Sequence, residues 1–152
     1  MTVRQAAAHE AGEIVRIINS AFNPAEAFFV DGDRIDLAQA LHYFDTGVFL
    51  VTADMAGCVY VELRGDHGYV GLLSVDPDRQ KAGVGRALVD AAENYAREYG
   101  CRFMDLRIVN LRLELPAFYT RLGYRESGTE EFTPGSPTKL PCHFIKMQKA
   151  LL

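Results

Sequence analysis

The segment of this sequence that is most suited to binding a ligand is a glycine-containing turn. It reads Gln80-Lys81-Ala82-Gly83-Val84-Gly85-Arg86. It lies where an apolar run ends and a helical pattern begins. Glycines at such a junction let the backbone approach a ligand closely, and the free N–H groups and positive dipole end of a helix attract an anion. Lys81 and Arg86 add positive charge there. The pattern suits a pyrophosphate-binding turn, and it suits a tight connection that binds nothing equally well.

Other chemistries that use short motifs fit this sequence less well. The turn lacks the Gly-x-x-x-x-Gly-Lys-Ser/Thr pattern of a P-loop and the third glycine of a dinucleotide-binding turn. No Gly-x-Ser-x-Gly turn is present, and Ser74 falls inside a predicted strand, which disfavours a triad hydrolase. The histidines have no metal-ligand spacing with each other or with cysteines, so no metal is expected; they are His9, His42, His67 and His143.

The elements that precede the turn are predicted from the period of the apolar residues. Residues 2–6 suit a short strand, and apolar residues at spacings of three and four from Ile14 to Phe22 predict a helix that Asn23-Pro24 ends. A second helix is predicted over residues 34–44, after an irregular stretch. Three strand-like runs follow at residues 48–53, 58–64 and 69–75, and the turn residues between them favour antiparallel hairpins.

The elements that follow the turn alternate between helix and strand. The long helix is predicted to bury an apolar face, with a polar face opposite that includes Glu93, and to end at Gly100. The apolar face consists of Val84, Leu88, Ala91, Ala92, Tyr95 and Tyr99. A strand over 102–109, parallel to or splayed from its neighbour, a short helix over 116–122 and two closing strands, from Tyr124 and over 142–149, complete the pattern. The prediction is an α/β domain with a mixed, mainly antiparallel sheet.

Composition limits the class of protein. A chain of 152 residues is long enough for one sizeable core. The net charge of −4 argues against a general nucleic-acid binder, and no apolar run is long enough to span a membrane. The three cysteines suggest buried free thiols rather than disulfides, and the N-terminus lacks the layout of a secretory signal, so we expect a cytoplasmic protein.

Two motifs together resemble the GNAT superfamily of N-acetyltransferases. The turn at residues 80–85 is similar to the Gln/Arg-x-x-Gly-x-Gly/Ala signature, and residues 117–124, Ala-Phe-Tyr-Thr-Arg-Leu-Gly-Tyr, resemble the second motif about 30 residues downstream. The order of strands and helices is also similar along nearly the whole chain. The resemblance implies a single domain over residues 1–152, with about seven strands in a mixed, mainly antiparallel sheet and about four helices.

The resemblance also implies a cosubstrate, acetyl-CoA, and the residues that hold it. The backbone amides of Gln80, Lys81, Ala82, Gly83, Val84, Gly85 and Arg86 would bind the pyrophosphate. The main chain of Leu73, Ser74 and Val75 would bind the pantetheine arm like an added strand. Tyr119 occupies the position of the general acid, which contacts the coenzyme sulfur and protonates it. Arg112 stands where relatives often have Asn, so Asn110 becomes the candidate for that pantetheine contact.

The general base and the acceptor are less well defined. The central strand at residues 69–73 has no carboxylate where many relatives place one, which leaves Glu62 acting through water, His143 or water alone. By the resemblance the acceptor enters near the first two helices and the closing strands. The candidates are Phe28, Phe29, Asp31, Asp33 and Arg34, with Tyr60 and Glu62 on the sheet. These residues would suit a cationic amine or an N-terminal peptide amine, or they are only a helix-packing cluster under a charged turn.

The implied function is transfer of an acetyl group from acetyl-CoA to a primary amine, with a small-molecule acceptor as the first expectation. A protein acetyltransferase that acts on lysine or an N-terminal amine is one alternative. A non-catalytic acyl-CoA-binding module is the other, and the presence of Tyr119 favours an enzyme. A homodimer is compatible with the resemblance, and no nucleic-acid or membrane partner is expected.

Overall fold

The computed structural model describes residues 1–79, 82–132 and 137–152. These residues form a seven-stranded sheet and four α-helices, which confirms the predicted fold class. The strands are β1 (Val3–Gln5), β2 (Val48–Thr52), β3 (Gly57–Arg64), β4 (His67–Val75), β5 (Phe103–Val109), β6 (Arg125–Glu131) and β7 (His143–Ala150). The helices are α1 (Ala11–Glu26), α2 (Leu37–Thr46), α3 (Val84–Glu98) and α4 (Leu115–Arg121). No helix within these ranges combines the length and apolar character needed to cross a membrane.

The sheet has the order β1-β2-β3-β4-β5-β7-β6, and all neighbours are antiparallel except β4 and β5. The predicted hairpins β2–β3 and β3–β4 are confirmed. The second of them turns through Gly65, whose positive φ of 67° is a conformation that glycine adopts without strain.

Alternation along the strands sends side chains to two separate helical layers, because successive residues of a strand face opposite sides of a sheet. On one side, α1 and α2 pack on residues such as Phe49, Val51 and Tyr60. On the other side, α3 packs on residues such as Leu50 and Val59. The central strands are therefore covered on both faces, whereas the edge strand β6 is exposed.

The sheet separates between β4 and β5. These parallel strands pair only at their beginnings, through His67–Tyr69 and Phe103–Asp105. Further along β4, Leu72 and Leu73 together oppose Val59 of β3, which is a β-bulge, and Leu72 has a positive φ of 54°. Because a bulge bends its strand and interrupts the ladder, the second half of β4 diverges from β5.

Helix α1 continues past Pro24 to Glu26, so the prediction that Asn23-Pro24 ends it is wrong. A proline near the end of a helix removes one backbone hydrogen bond, and its fixed φ is compatible with the helix. The last turn is completed by the N–H groups of Phe29 and Val30, which both donate to the carbonyl of Glu26. These hydrogen bonds hold the backbone of Glu26 at the end of α1.

Helix α2 begins at Leu37, three residues later than predicted, and ends at Thr46 rather than Phe44. The late start has a local cause. The N–H of Gln39 donates to the Asp36 carboxylate at 2.8 Å, and the N–H of Asp36 donates to the Gln39 side chain at 2.9 Å. This capping box satisfies two free donors of the first turn and sets the boundary.

Glu93 was predicted on the polar face of α3, and this prediction is wrong, because its side chain is only 3% exposed. It accepts hydrogen bonds from the Tyr124 hydroxyl and the Lys149 ammonium, both at 2.9 Å. Tyr99, predicted on the apolar face, is instead largely exposed. The Glu93 cluster ties α3 to the segment after α4 and to β7.

Candidate functional site

The N-terminus of α3 presents backbone donors that the helix itself does not use. Gly83 is the N-cap, with a φ of 88° that glycine adopts readily, and no side chain caps the helix. The first hydrogen bond of the helix runs from the N–H of Ala87 to the carbonyl of Gly83, so the N–H groups of the residues between them have no partner within the helix. The predicted site residues Gln80 and Lys81 lie outside the described residues.

A groove of about 660 Å³ opens in front of these donors, and we call it the helix-end groove. It is lined by Ala21, Phe22, Ala25, Leu73, Val75, Pro77, Gly83, Val84, Gly85, Arg86, Arg112, Glu114, Leu115, Phe118, Arg121 and Leu122. Three of these side chains are arginines and one is a glutamate, so the lining is positive although the whole chain is acidic. The groove suits an anionic ligand that reaches from α3 to the end of β4.

The remaining predicted coenzyme residues are placed differently. Ala82 is exposed in the turn before the groove and does not line it. The Ser74 side chain is buried and its hydroxyl donates to the Leu72 carbonyl at 2.9 Å, which leaves only its main chain for the predicted contact. Asn110 lines neither cavity described in this section. Its side-chain oxygen accepts the N–H of His143 at 2.8 Å, so Asn110 joins the ends of β5 and β7.

A second cavity of about 430 Å³ lies where β4 and β5 diverge, and we call it the sheet cavity. Its lining includes Glu26, Asp31, Asp33, Arg34, Tyr43, Tyr60, Tyr69, Gly71, Leu72, Arg107, Tyr119 and Phe144. It shares Phe22, Leu73, Arg112 and Leu115 with the helix-end groove. The two spaces are therefore adjacent, and they meet at the bulge of β4.

Tyr119 lies in the wall of the sheet cavity with little exposure to solvent. Its ring makes edge contacts with Phe118 and Tyr124, at centroid distances of 5.0 and 5.7 Å. Burial raises the pKa of the Tyr119 hydroxyl, and the nearby Tyr69 raises it further. The phenol therefore remains protonated at neutral pH, as a proton donor must.

The bulge supplies backbone groups to the same cavity. Gly71, Leu72 and Leu73 line it, and they lie beyond Tyr69, where the pairing of β4 with β5 ends. A backbone N–H at this point can therefore donate to an oxygen in the cavity, as an oxyanion requires.

Neither side chain considered as a base lines either cavity. Glu62 accepts hydrogen bonds from Tyr60 and Arg64. Burial alone would raise the pKa of Glu62, but these two donors outweigh it and the pKa is lowered. His143 is exposed at the start of β7. Tyr60, whose hydroxyl donates to Glu62, does line the sheet cavity.

The predicted acceptor residues divide into two groups. Asp31, Asp33, Arg34 and Tyr60 line the sheet cavity. Phe28 is exposed elsewhere, and Phe29 is fully buried in a small core with Val109 and Phe144. The two phenylalanines are thus outside the cavity lining.

An ion pair that the sequence analysis missed lies at the junction of the two cavities. The Arg112 guanidinium contacts the Glu26 carboxylate at 3.1 Å, and the side chains are 15% and 13% exposed. Arg112 lines both cavities, and Glu26 lines the sheet cavity. A sequence signal for Glu26 does exist, because Phe22 and Glu26 are four residues apart on one helical face. That signal is lost once the helix is taken to end at Pro24.

Comparison with known proteins finds a matching family and named relatives. The sequence model of the Acetyltransferase (GNAT) family matches residues 12–124. The chain is 31% identical over 143 residues to a mycothiol acetyltransferase of Propionibacterium freudenreichii subsp. shermanii, which covers 86% of this chain and 45% of that protein. It is 30% identical over 105 residues to the blasticidin-S acetyltransferase of Streptomyces morookaense, over 68% of this chain and 76% of that protein. The chain thus spans less than half the length of the mycothiol acetyltransferases that it matches.

The fold is also found among solved structures. The PaiA N-acetyltransferase from Thermoplasma acidophilum, crystallised in complex with coenzyme A, superimposes with a TM-score of 0.77. The match covers 98% of both chains at 16% sequence identity. At this identity the likeness establishes the shared fold.

Proposed function

Because the chain belongs to the acetyltransferase (GNAT) family, we propose that it transfers the acetyl group of acetyl-CoA to a primary amine of a small molecule. One observation carries the proposal: a positive groove at the free amides of α3 meets a cavity that contains a buried, protonated tyrosine. The groove suits the diphosphate of the coenzyme. The junction at the β4 bulge suits its thioester.

The coenzyme would bind along two backbone surfaces. Its diphosphate would accept hydrogen bonds from the first amides of α3, assisted by Arg86. Its pantetheine arm would run beside the diverging end of β4, at Leu73, Ser74 and Val75, where β5 no longer occupies the edge. A protein with the same fold has been crystallised in complex with coenzyme A, which supports coenzyme A as the type of ligand.

The reaction needs three groups around the thioester carbonyl. The amine nitrogen attacks the carbonyl carbon and forms the C–N bond, and a backbone N–H of the bulge stabilises the resulting oxyanion. The C–S bond then breaks, and Tyr119 donates its proton to the departing thiolate. A proton released by the nitrogen restores the phenol, so that the enzyme returns to its starting state.

The size of the sheet cavity favours a small acceptor. Its volume of about 430 Å³ falls in the range of about 300–1,000 Å³ typical of small-molecule sites. The relatives at about 30% identity are named for mycothiol and blasticidin-S, and neither name refers to a protein acceptor. We also propose a cytoplasmic location, because all three cysteines are free thiols, as a reducing compartment would keep them.

The proposal is tested with Tyr119→Phe and acetyl-CoA. Thiol release is followed with four amine probes and, separately, with a lysine-containing peptide that has a free N-terminus. The four amines are an alkyl monoamine, an amino sugar, an aminonucleoside and an amino-acid amide. We expect Tyr119→Phe to lower turnover by about 10- to 100-fold with little change in coenzyme binding, because only the proton donor is lost. Tyr95→Phe is the matched control, since Tyr95 lines neither cavity.

The outcomes separate the rival functions. Unchanged turnover in Tyr119→Phe would remove this residue from the mechanism. Coenzyme binding without thiol release on any amine or peptide would indicate an acyl-CoA-binding module. Release only with peptide amines would indicate a protein acetyltransferase.

A further inference from the structure

Three carboxylates line the sheet cavity within the described chain, and they differ in their surroundings. Asp31 is 83% exposed and paired with Lys139 at 2.9 Å. Asp33 is exposed and accepts a hydrogen bond from Asn23 at 2.8 Å. Glu26 alone is largely shielded from solvent. A group that must take a proton from a bound amine needs this combination of access to the cavity and shielding from bulk water.

We propose that Glu26 is the general base that takes the proton from the acceptor's ammonium group, and that Arg112 positions its carboxylate. The proposal rests on the proposed acetyl transfer and names a residue that acts in the same site. It replaces Glu62 and His143, which line neither cavity.

The contact with Arg112 fixes the geometry of the base. Arg112 donates to Oε2 of Glu26, and within the described chain this is the hydrogen bond that the carboxylate receives. Oε1 is therefore the oxygen that can accept the proton. Arg112 also contacts Glu114 at 3.4 Å and lines both cavities, so it holds Glu26 beside the place where acceptor and thioester meet.

The electrostatic surroundings of Glu26 suit this role. Burial raises its pKa above the ordinary value, while Arg112 and Arg34 oppose that shift and Glu114 adds to it. Cys142 also faces Glu26, and burial raises the pKa of that thiol, so it stays neutral. A carboxylate whose pKa moves toward neutrality is a stronger acceptor of the ammonium proton.

The protons balance over the whole reaction. The ammonium nitrogen begins with three protons and ends as an amide with one. The first passes to Glu26 and from there to solvent, which frees the lone pair that attacks the thioester carbon. The second is released as the tetrahedral intermediate collapses, and it replaces the proton that Tyr119 gives to the sulfur. The C–N bond forms, the C–S bond breaks, and no oxidant or further reactant is needed.

The test is the pH profile of kcat/KM for Glu26→Gln with acetyl-CoA and the most reactive of the four amine probes. Wild type should show an ascending limb at the pKa of Glu26 and then a plateau. In Glu26→Gln that limb should be absent, and the rate should rise about tenfold for each pH unit until the amine itself is deprotonated. At neutral pH the loss should be about 10²- to 10⁴-fold. Coenzyme binding, measured by thermal shift, should not change.

Glu13→Gln is the matched control, because Glu13 is on the same helix, is also paired with an arginine, and lines neither cavity. It should keep the wild-type profile. A folded Glu26→Gln that keeps the ascending limb would overturn the proposal, as would a loss explained by weaker coenzyme binding. If Glu26→Gln does not fold, Glu26→Asp decides. Its limb should move to lower pH with the lower intrinsic pKa of Asp, and an unmoved limb would overturn the proposal.

The two proposals fail in different ways. A wild type that transfers acetyl to no amine or peptide would overturn the proposed function and this inference with it. If the wild type is active and Glu26→Gln has the same pH profile, the inference alone would be overturned.

Discussion

Replacing Gly85 by alanine should make the free protein more stable and the coenzyme complex weaker. Gly85 is the second residue of α3 and has ordinary helical backbone geometry, so alanine suits its conformation. Alanine lowers the conformational entropy of the unfolded chain relative to glycine, which stabilises the folded state by about 0.4–1 kcal/mol. The new methyl group would lie 3.3 Å from the ring of Phe118, a side chain that can shift, so part of this gain is lost. For a chain of this size the expected rise in Tm is about 1–4 °C.

The same methyl group would stand in the helix-end groove, in front of the amides that the diphosphate must reach. A hydrogen bond to a charged group contributes about 1.5–3 kcal/mol. Displacing the diphosphate from one such amide should therefore weaken coenzyme binding by about 10- to 100-fold.

Gly12→Ala is a closely matched control. Gly12 is the second residue of α1, the other long helix, and a Cβ there would meet nothing within 4 Å. It should stabilise the protein to a similar extent and leave coenzyme affinity unchanged. The assay is thermal unfolding without ligand, followed by titration calorimetry with coenzyme A. If Gly85→Ala and Gly12→Ala bind coenzyme A equally well, the α3 terminus is not the diphosphate site.

Two further substitutions test the surroundings of the site. Gly83→Ala should lower the free energy of unfolding by about 1–2 kcal/mol, opposite in sign to Gly85→Ala, because a left-handed backbone is strained in alanine. Urea unfolding measures this change, and a gain in stability would contradict the assignment of Gly83 as the N-cap. Lys149→Met should cost about 1.5–3 kcal/mol, because Glu93 loses its closest cation. Adding Glu93→Gln to Lys149→Met should recover part of that loss, and a double variant as unstable as the single one would contradict this reasoning.

The order of elements could be predicted because it depends on local periodicity. The change from a period of two to a period of 3.6 after Pro77 places β4 and α3 correctly, and Gly100 and Gly123 both end helices with positive φ. Three boundaries of α1 and α2 differ from the prediction, and two of them have local causes that the sequence carries. Pro24 lies close enough to the end of α1 to fit within it, and the capping box of Asp36 and Gln39 sets the start of α2.

The candidate site was predictable where one continuous segment builds it. Gly83, Val84, Gly85 and Arg86 come together because they are neighbours in the chain and open one helix. The partners of Glu93 could not be predicted in this way, because Tyr124 and Lys149 lie 31 and 56 residues away. Glu26 and Arg112 are 86 residues apart, and only the packing of α1 against the divergence of β4 and β5 brings them into contact.

The bulge in β4 explains why these distant groups meet at one point. Leu72 adopts a left-handed backbone conformation, which is unfavourable for a non-glycine residue and persists only where its surroundings enforce it. Strand β4 is held on one side by its long pairing with β3, and β5 is held on its far side by β7. The sheet therefore separates between β4 and β5. That separation opens the sheet cavity, frees a backbone donor, and leaves an edge beside which a ligand can lie. The distortion that loses ladder hydrogen bonds and strains the backbone is thus the same one that forms the geometry required for the proposed acetyl transfer.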